Sequence, residues 1–223
     1  MADSFRFSPG ARRIPQQTSA ELKDLGLAVL IELDTGAHER AGELLKKYLD
    51  ARGDPNLKAP NVQAMSLLHY CSLEGMITQV TQLLRANASL GARDRRGMTA
   101  LHAATVGQHN DVAELLLLAG VKADTASLTG LTAMHLAAVD GSETIIKMLL
   151  DVGANTNVQN YLGWTPLHCA ISMDQLDLLP ILLKGGAKPD IADKAGRLPF
   201  ESTTSEASRQ RLVEILEPLG ISL

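Results

Sequence analysis

The chain has 223 residues, of which 45% are hydrophobic and only 3% aromatic, so its core is expected to consist of aliphatic and small side chains. The formal net charge of −4 and the pI near 5.9 disfavour a dedicated nucleic-acid binder, which usually carries a basic excess. No apolar run reaches the roughly 18 residues of a membrane span, and two cysteines are too few for a disulfide framework. We therefore expect a cytoplasmic or nuclear protein without a membrane segment.

The first 64 residues are predicted to contain a tail and a capping unit. Residues 1–19 lack the apolar region of a secretory signal and are interpreted as a disordered tail, with a transit peptide as the alternative. Residues 20–64 are predicted to be an N-terminal capping repeat, with helices over 20–33 and 37–50. An irregular loop with two prolines, 53–64, follows these helices.

From residue 65 the sequence repeats with a period of 33 residues. One column of the gap-free alignment holds Leu or Met, the next holds His, and later columns hold Leu. A column of Asp, Asn or Ser precedes a column of mostly Gly by three positions, which is the chemistry of a tight turn. Each unit is thus predicted to contain two helices and a turn. The four regular units are 65–97, 98–130, 131–163 and 164–196.

The chain is predicted to end in a C-terminal capping repeat, residues 197–223. Here Leu-Pro-Phe-Glu replaces the repeated pattern, and residues 205–216 are predicted to form one closing helix that stops before Pro218. Capping units are expected at both ends, because the terminal units of a stacked array must expose one polar face to water.

One unit carries a motif that resembles a known repeat family. Thr165-Pro166-Leu167-His168 is similar to the T-P-L-H signature of ankyrin repeats, and residues 99–102 and 132–135 are close variants. Residues 153–157, Gly-Ala-Asn-Thr-Asn, resemble the family's G-A-D-V-N stretch. The resemblance covers residue 20 to the end and implies an all-α solenoid of stacked helix-turn-helix units joined by β-hairpin-like fingers. It also implies partner binding by the finger tips and the concave surface of the first helices.

The residues that could suggest chemistry are better explained by structure. Equivalent histidines in neighbouring units are expected to lie about 8–10 Å apart. Two ligands of one zinc ion need bonds of about 2.0–2.1 Å. Each of the four periodic histidines is therefore predicted to bond its own Thr or Ser and nearby backbone. His38 and His109 are predicted to be exposed, and no acid or Cys lies near them at the spacing of metal ligands. Phosphate-loop and nucleophile-elbow motifs are missing from the sequence, so we expect no catalytic residue, cofactor or metal, and no enzyme.

The column before the helix N-cap is the strongest candidate for partner binding. It is apolar in four units, from Met65 onward, and ends in the cation Arg197. Large exposed apolar patches mark interaction sites, although these residues could instead pack against the adjacent finger. An arginine-rich tip would attract an acidic segment, or could merely keep an exposed loop soluble. The predicted partner-binding residues are Met98, Leu128, Leu131, Tyr161, Leu162, Trp164 and Arg197, with Arg93, Arg95 and Arg96 at the arginine-rich tip.

The predicted function is non-enzymatic binding of a protein partner that has an acidic and partly apolar segment. The chain would act as a monomeric adaptor, inhibitor or assembly factor. A regulatory subunit of an enzyme complex is one alternative, and nucleic-acid binding through the arginine-rich finger is a less favoured one. A fainter candidate row on the inner helices comprises Leu73, Glu74, Val106, Val139, Asp140, Ser172 and Met173.

Overall fold

The computed structural model describes residues 19–60, 63–203 and 205–219. The predicted tail lies outside these ranges except for residue 19, as does the very end of the predicted C-terminal capping repeat. The described residues contain eleven α-helices, most of which pack in consecutive pairs. They are α1 (Ser19–Asp34), α2 (His38–Asp50), α3 (Leu67–Leu73), α4 (Ile77–Arg85), α5 (Ala100–Val106), α6 (Asn110–Leu118), α7 (Ala133–Asp140), α8 (Glu143–Asp151), α9 (Pro166–Ser172), α10 (Leu179–Lys184) and α11 (Glu206–Leu216).

The first helix of each regular unit begins in the same way. A Ser or Thr in extended conformation precedes it, and the His three residues later accepts a hydrogen bond from that residue's backbone N–H through Nδ1. The distance from N to Nδ1 is 3.1 Å between Thr99 and His102 and 3.2 Å between Thr132 and His135. These bonds satisfy backbone donors that the start of a helix leaves unpaired.

The core runs through the stack in rows of equivalent residues. First helices pack on first helices, as α3 does on α5 and α5 on α7, while α6 packs on α4 and α8. Between them lie fully buried leucines such as Leu116 and Leu149, and the alanine column of Ala104 and Ala137 lets neighbouring first helices approach closely. The buried residues form one continuous cluster rather than one core per unit.

The fingers between units contain tight turns. Each turn closes with a hydrogen bond from Gly to the residue three positions before it, and Gly130 has φ of +80°, which favours glycine. Within the described ranges no β-strand occurs, and the isolated β-bridge pairs Lys58 with Ser66. Successive tips are linked by backbone hydrogen bonds, for example 2.8 Å from Leu128 N to Arg96 O. The fingers therefore form a connected row along the stack.

The end of the stack departs from the regular unit where the sequence does. In the last regular unit a 3₁₀ turn over Leu176–Leu178 precedes α10, whose second residue is a proline. The 3₁₀ turn Pro199–Ser202 then replaces a first helix, and α11 closes the array with Ser205 as its N-cap. No helix in the described part of the chain is long and apolar enough to cross a membrane.

Candidate functional site

Three exposed apolar side chains lie at adjacent finger tips. Tyr161 is 65% exposed, Leu162 61% and Leu128 58%. A 3.0 Å hydrogen bond from Tyr161 N to Thr129 O holds the two tips together. An exposed apolar group on neighbouring, rigidly linked turns is a surface that a partner could cover. We call Leu128, Tyr161 and Leu162, with the flanking Arg95 and Lys194, the finger-tip surface.

The predicted apolar row before the N-caps is more covered than the sequence suggested. Met65 is buried, and Met98, Leu131 and Trp164 are each half-buried. The Trp164 indole N–H donates to Asp193 Oδ2 at 3.3 Å, and the ring stacks on a buried histidine with centroids 6.4 Å apart. Packing against the next finger, the alternative interpretation of this row, thus accounts for much of the indole. Only part of each half-buried side chain is accessible to a partner.

The cationic side chains at the finger tips differ in whether they form an ion pair. Arg96 Nε lies 3.3 Å from the buried carboxylate of Asp94, and Arg197 Nη2 lies 2.7 Å from Asp193. Backbone and side-chain hydrogen bonds from Arg197 lower the pKa of Asp193 to about 2. In the described ranges Arg93 and Arg95 have exposed side chains without an ion pair, so these two carry positive charge that is available to a ligand.

The arginine-rich tip includes one further cation, Lys58, that was not predicted from the sequence. Lys58 belongs to the first finger, 35 residues earlier, and its Nζ donates to Arg93 O at 3.0 Å. Its sequence position lies in the irregular loop, whose path no periodicity predicts. Three cationic side chains, those of Lys58, Arg93 and Arg95, therefore gather at one end of the finger row.

The four periodic histidines are structural, and they bond across units. Each Nδ1 lies within 2.9 Å of the hydroxyl of its own Thr or Ser, as predicted. The Nε2 atom reaches the carbonyl 29 residues on, in the next finger: 3.0 Å from His102 to Leu131 and 3.0 Å from His135 to Trp164. Burial lowers the pKa of these imidazoles. The neutral rings thus hold the backbone of the half-buried row in place through hydrogen bonds to its carbonyl oxygens.

Two solitary histidines have neighbours that the sequence did not reveal. His38 is exposed, as predicted, and its Nε2 lies 3.4 Å from a carboxylate oxygen of Glu74 in the next unit. The prediction that His109 is exposed is wrong: its ring is half-buried and covers Gly75 and Gly107, where a Cβ would come within 3 Å of it. Glu74 and Gly75 belong to units next to those of the two histidines, and local sequence does not specify such contacts.

The remaining side chains that could react, the two cysteine thiols, are buried. Cys71 and Cys169 are buried free thiols, and burial raises the pKa of both to about 12. A thiol that stays protonated is a poor nucleophile and a poor metal ligand. The described part of the chain contains no group of three or more His, Cys, Asp or Glu side chains placed to hold a metal ion.

The fainter inner-helix row has a mixed exposure. Val106 is 46% and Met173 49% exposed, while Leu73 and Val139 are half-buried. Leu73, Val106 and Val139 occupy the same position in three successive units, and the fourth unit has Ser172 there. Met173 occupies the following position, which Glu74 and Asp140 share, so the apolar side chains do not continue as one strip across all four units.

A protein-family model agrees with this architecture. The model described as Ankyrin repeats (3 copies) matches residues 36–127 and 107–193. These matches span well over half of the chain, which therefore belongs to the ankyrin-repeat family. Ankyrin repeats generally act as protein–protein interaction modules and are typically non-enzymatic. A comparison with curated proteins found no match.

Proposed function

We propose that this ankyrin-repeat protein is an adaptor, inhibitor or assembly factor that binds an acidic, partly apolar segment of a protein partner on its finger-tip surface. The observation that carries this proposal is the adjacency of Leu128, Tyr161 and Leu162 between cationic tips. Arg95 stands at one side of this apolar group and Lys194 at the other. The surface thus alternates in the order basic, apolar, basic along the stack.

The spacing of the fingers defines what such a segment looks like. Adjacent units lie about 8–10 Å apart, so the three steps from the tip of Arg95 to that of Lys194 span about 24–30 Å. An extended chain rises about 3.3 Å per residue, so roughly eight or nine residues cover this distance. The expected segment has apolar side chains in its middle and carboxylates at both ends.

The apolar and the cationic side chains of the finger-tip surface contribute to binding in different ways. Full burial of one large apolar side chain contributes about 1.5–3 kcal/mol, so the tyrosine and the two leucines provide most of the affinity. Exposed charges contribute less to affinity but accelerate association and select the partner. Within the described ranges, Tyr161 is the one exposed aromatic side chain, which gives a nucleic acid a single stacking platform and disfavours that alternative.

A labelled ten-residue peptide tests the finger-tip surface directly. The peptide carries two Asp at each end and Leu, Phe and Tyr within its centre, and its binding to the full chain is followed by fluorescence anisotropy. The double variant Tyr161→Ala/Leu162→Ala should weaken binding at least tenfold. Arg95→Glu should weaken it and reduce its salt dependence.

The matched control is Leu118→Ala, because Leu118 is 80% exposed on α6, away from the fingers. The same variants are then used to capture partners from native extract. Equal binding by the Tyr161→Ala/Leu162→Ala variant and the Leu118→Ala control would reject the finger-tip surface as the docking site.

A further inference from the structure

A cleft lies between the helices α2 and α4. Its volume is about 350 Å³, and one wall belongs to α2 while the other belongs to α4 and the residue that follows it. Neither helix contributes a residue to the finger-tip surface. We call this feature the α2–α4 cleft, and the residues that line it are Lys46, Leu49, Asp50, Gln82, Arg85 and Ala86.

Gln82 is unusual among the residues at its position. The equivalent residues of the other three regular units are Leu115, Met148 and Ile181, which are half-buried and pack against the core. Gln82 is also half-buried, and its Oε1 atom is buried without a hydrogen bond from any described residue. Buried polar atoms are nearly always hydrogen-bonded, so a glutamine here lowers stability in a way that a leucine would not.

The amide of Gln82 is placed to contact a ligand in the cleft. The residue lines the cleft, and the terminal torsion of a glutamine side chain has only broad preferences. A turn about this torsion brings Oε1 to the cleft, where it accepts a hydrogen bond from a ligand. An acceptor that has no partner in the fold then gains one, which favours binding.

The charged groups of the cleft also have no ionic partner in the fold. Lys46 and Asp50 of α2 and Arg85 of α4 are exposed, and among the described residues none of the three forms an ion pair. The two cations belong to opposite walls, so one anionic group between them can contact both. The carboxylate of Asp50 and the Oε1 atom of Gln82 are acceptors, and they need N–H or O–H donors.

A ligand that satisfies all of these groups carries an anionic group beside several N–H donors, together with an apolar part. A free amino acid has this arrangement, because its carboxylate and its ammonium group are attached to the same carbon atom. Leu49 and Ala86 provide apolar surface for an aliphatic side chain. The cleft volume lies at the lower end of the range for small-molecule sites, about 300–1,000 Å³, which suits a ligand of the size of leucine.

We propose that the α2–α4 cleft binds a free amino acid with an aliphatic side chain. Lys46 and Arg85 donate hydrogen bonds to its carboxylate, while Asp50 and Gln82 accept hydrogen bonds from its ammonium group. The bound ligand bridges α2 and α4 and so stabilises the contact between the first two helix pairs. This site is separate from the finger-tip surface and does not depend on the proposed function.

An NMR titration of the isotope-labelled full chain with L-leucine tests the site. Leucine should shift the resonances of α2 and α4, with a Kd of about 1 mM or below. N-acetyl-L-leucine lacks the ammonium group and L-leucinamide lacks the carboxylate, so each should bind at least tenfold more weakly.

Three results of this titration would overturn the proposal. Equal or tighter binding of N-acetyl-L-leucine would assign the cleft to the carboxyl end of a peptide. Tighter binding of inorganic phosphate would assign it to a simple anion. No binding of leucine, isoleucine or valine at concentrations well above 1 mM would remove the amino-acid site altogether.

Substitutions separate binding from folding. Gln82→Leu introduces the residue type found at the same position of the next unit, so it should maintain or raise the free energy of unfolding and weaken leucine binding at least tenfold. Arg85→Gln should also weaken binding. Its matched control is Lys184→Gln, since Lys184 is the exposed cation at the same position of the fourth regular unit. Unchanged binding in Gln82→Leu, or equal effects of Arg85→Gln and Lys184→Gln, would contradict the proposal.

Discussion

The periodic histidines predict that the stack loses stability when the pH falls from 7 to 5.5. In each unit Nδ1 accepts a backbone N–H while Nε2 lies 2.9–3.3 Å from the carbonyl of the next finger. This arrangement needs a neutral ring that donates through Nε2–H, and burial lowers the pKa of His69, His102, His135 and His168 below the ordinary value of 6.5. Below pH 6.5 the unfolded chain therefore binds protons that the folded chain does not. The free energy of unfolding consequently decreases as the pH falls.

The size of the loss follows from the unfolded state. An imidazole with a pKa of 6.5 that is free in the unfolded chain and neutral in the folded chain costs about 1.2 kcal/mol between pH 7 and pH 5.5. The loss in the free energy of unfolding is at most about 3.6 kcal/mol for His69, His102 and His135 together. His168, at the end of the stack, adds a smaller amount. This is a large fraction of the 5–15 kcal/mol by which a typical domain is stable.

Urea unfolding followed by circular dichroism at the two pH values measures this loss. The variant His102→Gln cannot take up a proton there, so it should be less stable at pH 7 and show a pH dependence smaller by up to about 1.2 kcal/mol. The exposed His38→Gln variant is the control and should keep the full pH dependence. Equal free energies of unfolding at pH 7 and 5.5, or an unchanged pH dependence in His102→Gln, would contradict this prediction.

Three further predictions concern the turns, the core and the thiols. Gly130→Ala should destabilise the fold by more than Gly120→Ala in urea unfolding, because both have positive φ but only a Cβ at Gly130 would come within 3 Å of the next finger's backbone. The strain common to both is about 1–2 kcal/mol. Leu149→Ala should cost about 2–5 kcal/mol, whereas Leu118→Ala at an exposed site should change stability by at most about 0.5 kcal/mol in the same assay. Cys71, whose pKa is raised to about 12, should react with a thiol reagent at pH 8 only after urea is added.

The repeat architecture and its local contacts could be predicted from the sequence. The 33-residue period located both helices of each regular unit, and the Asp-to-Gly spacing located the turns. The bond between each His and its own Thr or Ser was predictable because the partners are three residues apart on one helix start. Such contacts form within a single unit, where sequence spacing determines distance.

Contacts between units were not predictable in the same way. The column that includes Met98 and Trp164 looked like an exposed row, but the indole bonds Asp193 in the following finger, and Met65 is buried. Lys58 joined the arginine-rich tip because an irregular loop brings it there.

The amino-acid pattern is enough to identify a stack of ankyrin repeats, since hydrophobic spacing, turn residues and helix caps all act over a few residues. Which side chains of that stack remain accessible is evident only from the folded molecule. The exposure of Leu128, Tyr161 and Leu162 depends on how each finger lies against the next. That arrangement results from packing between units, and a side chain's place within its own repeat does not encode it.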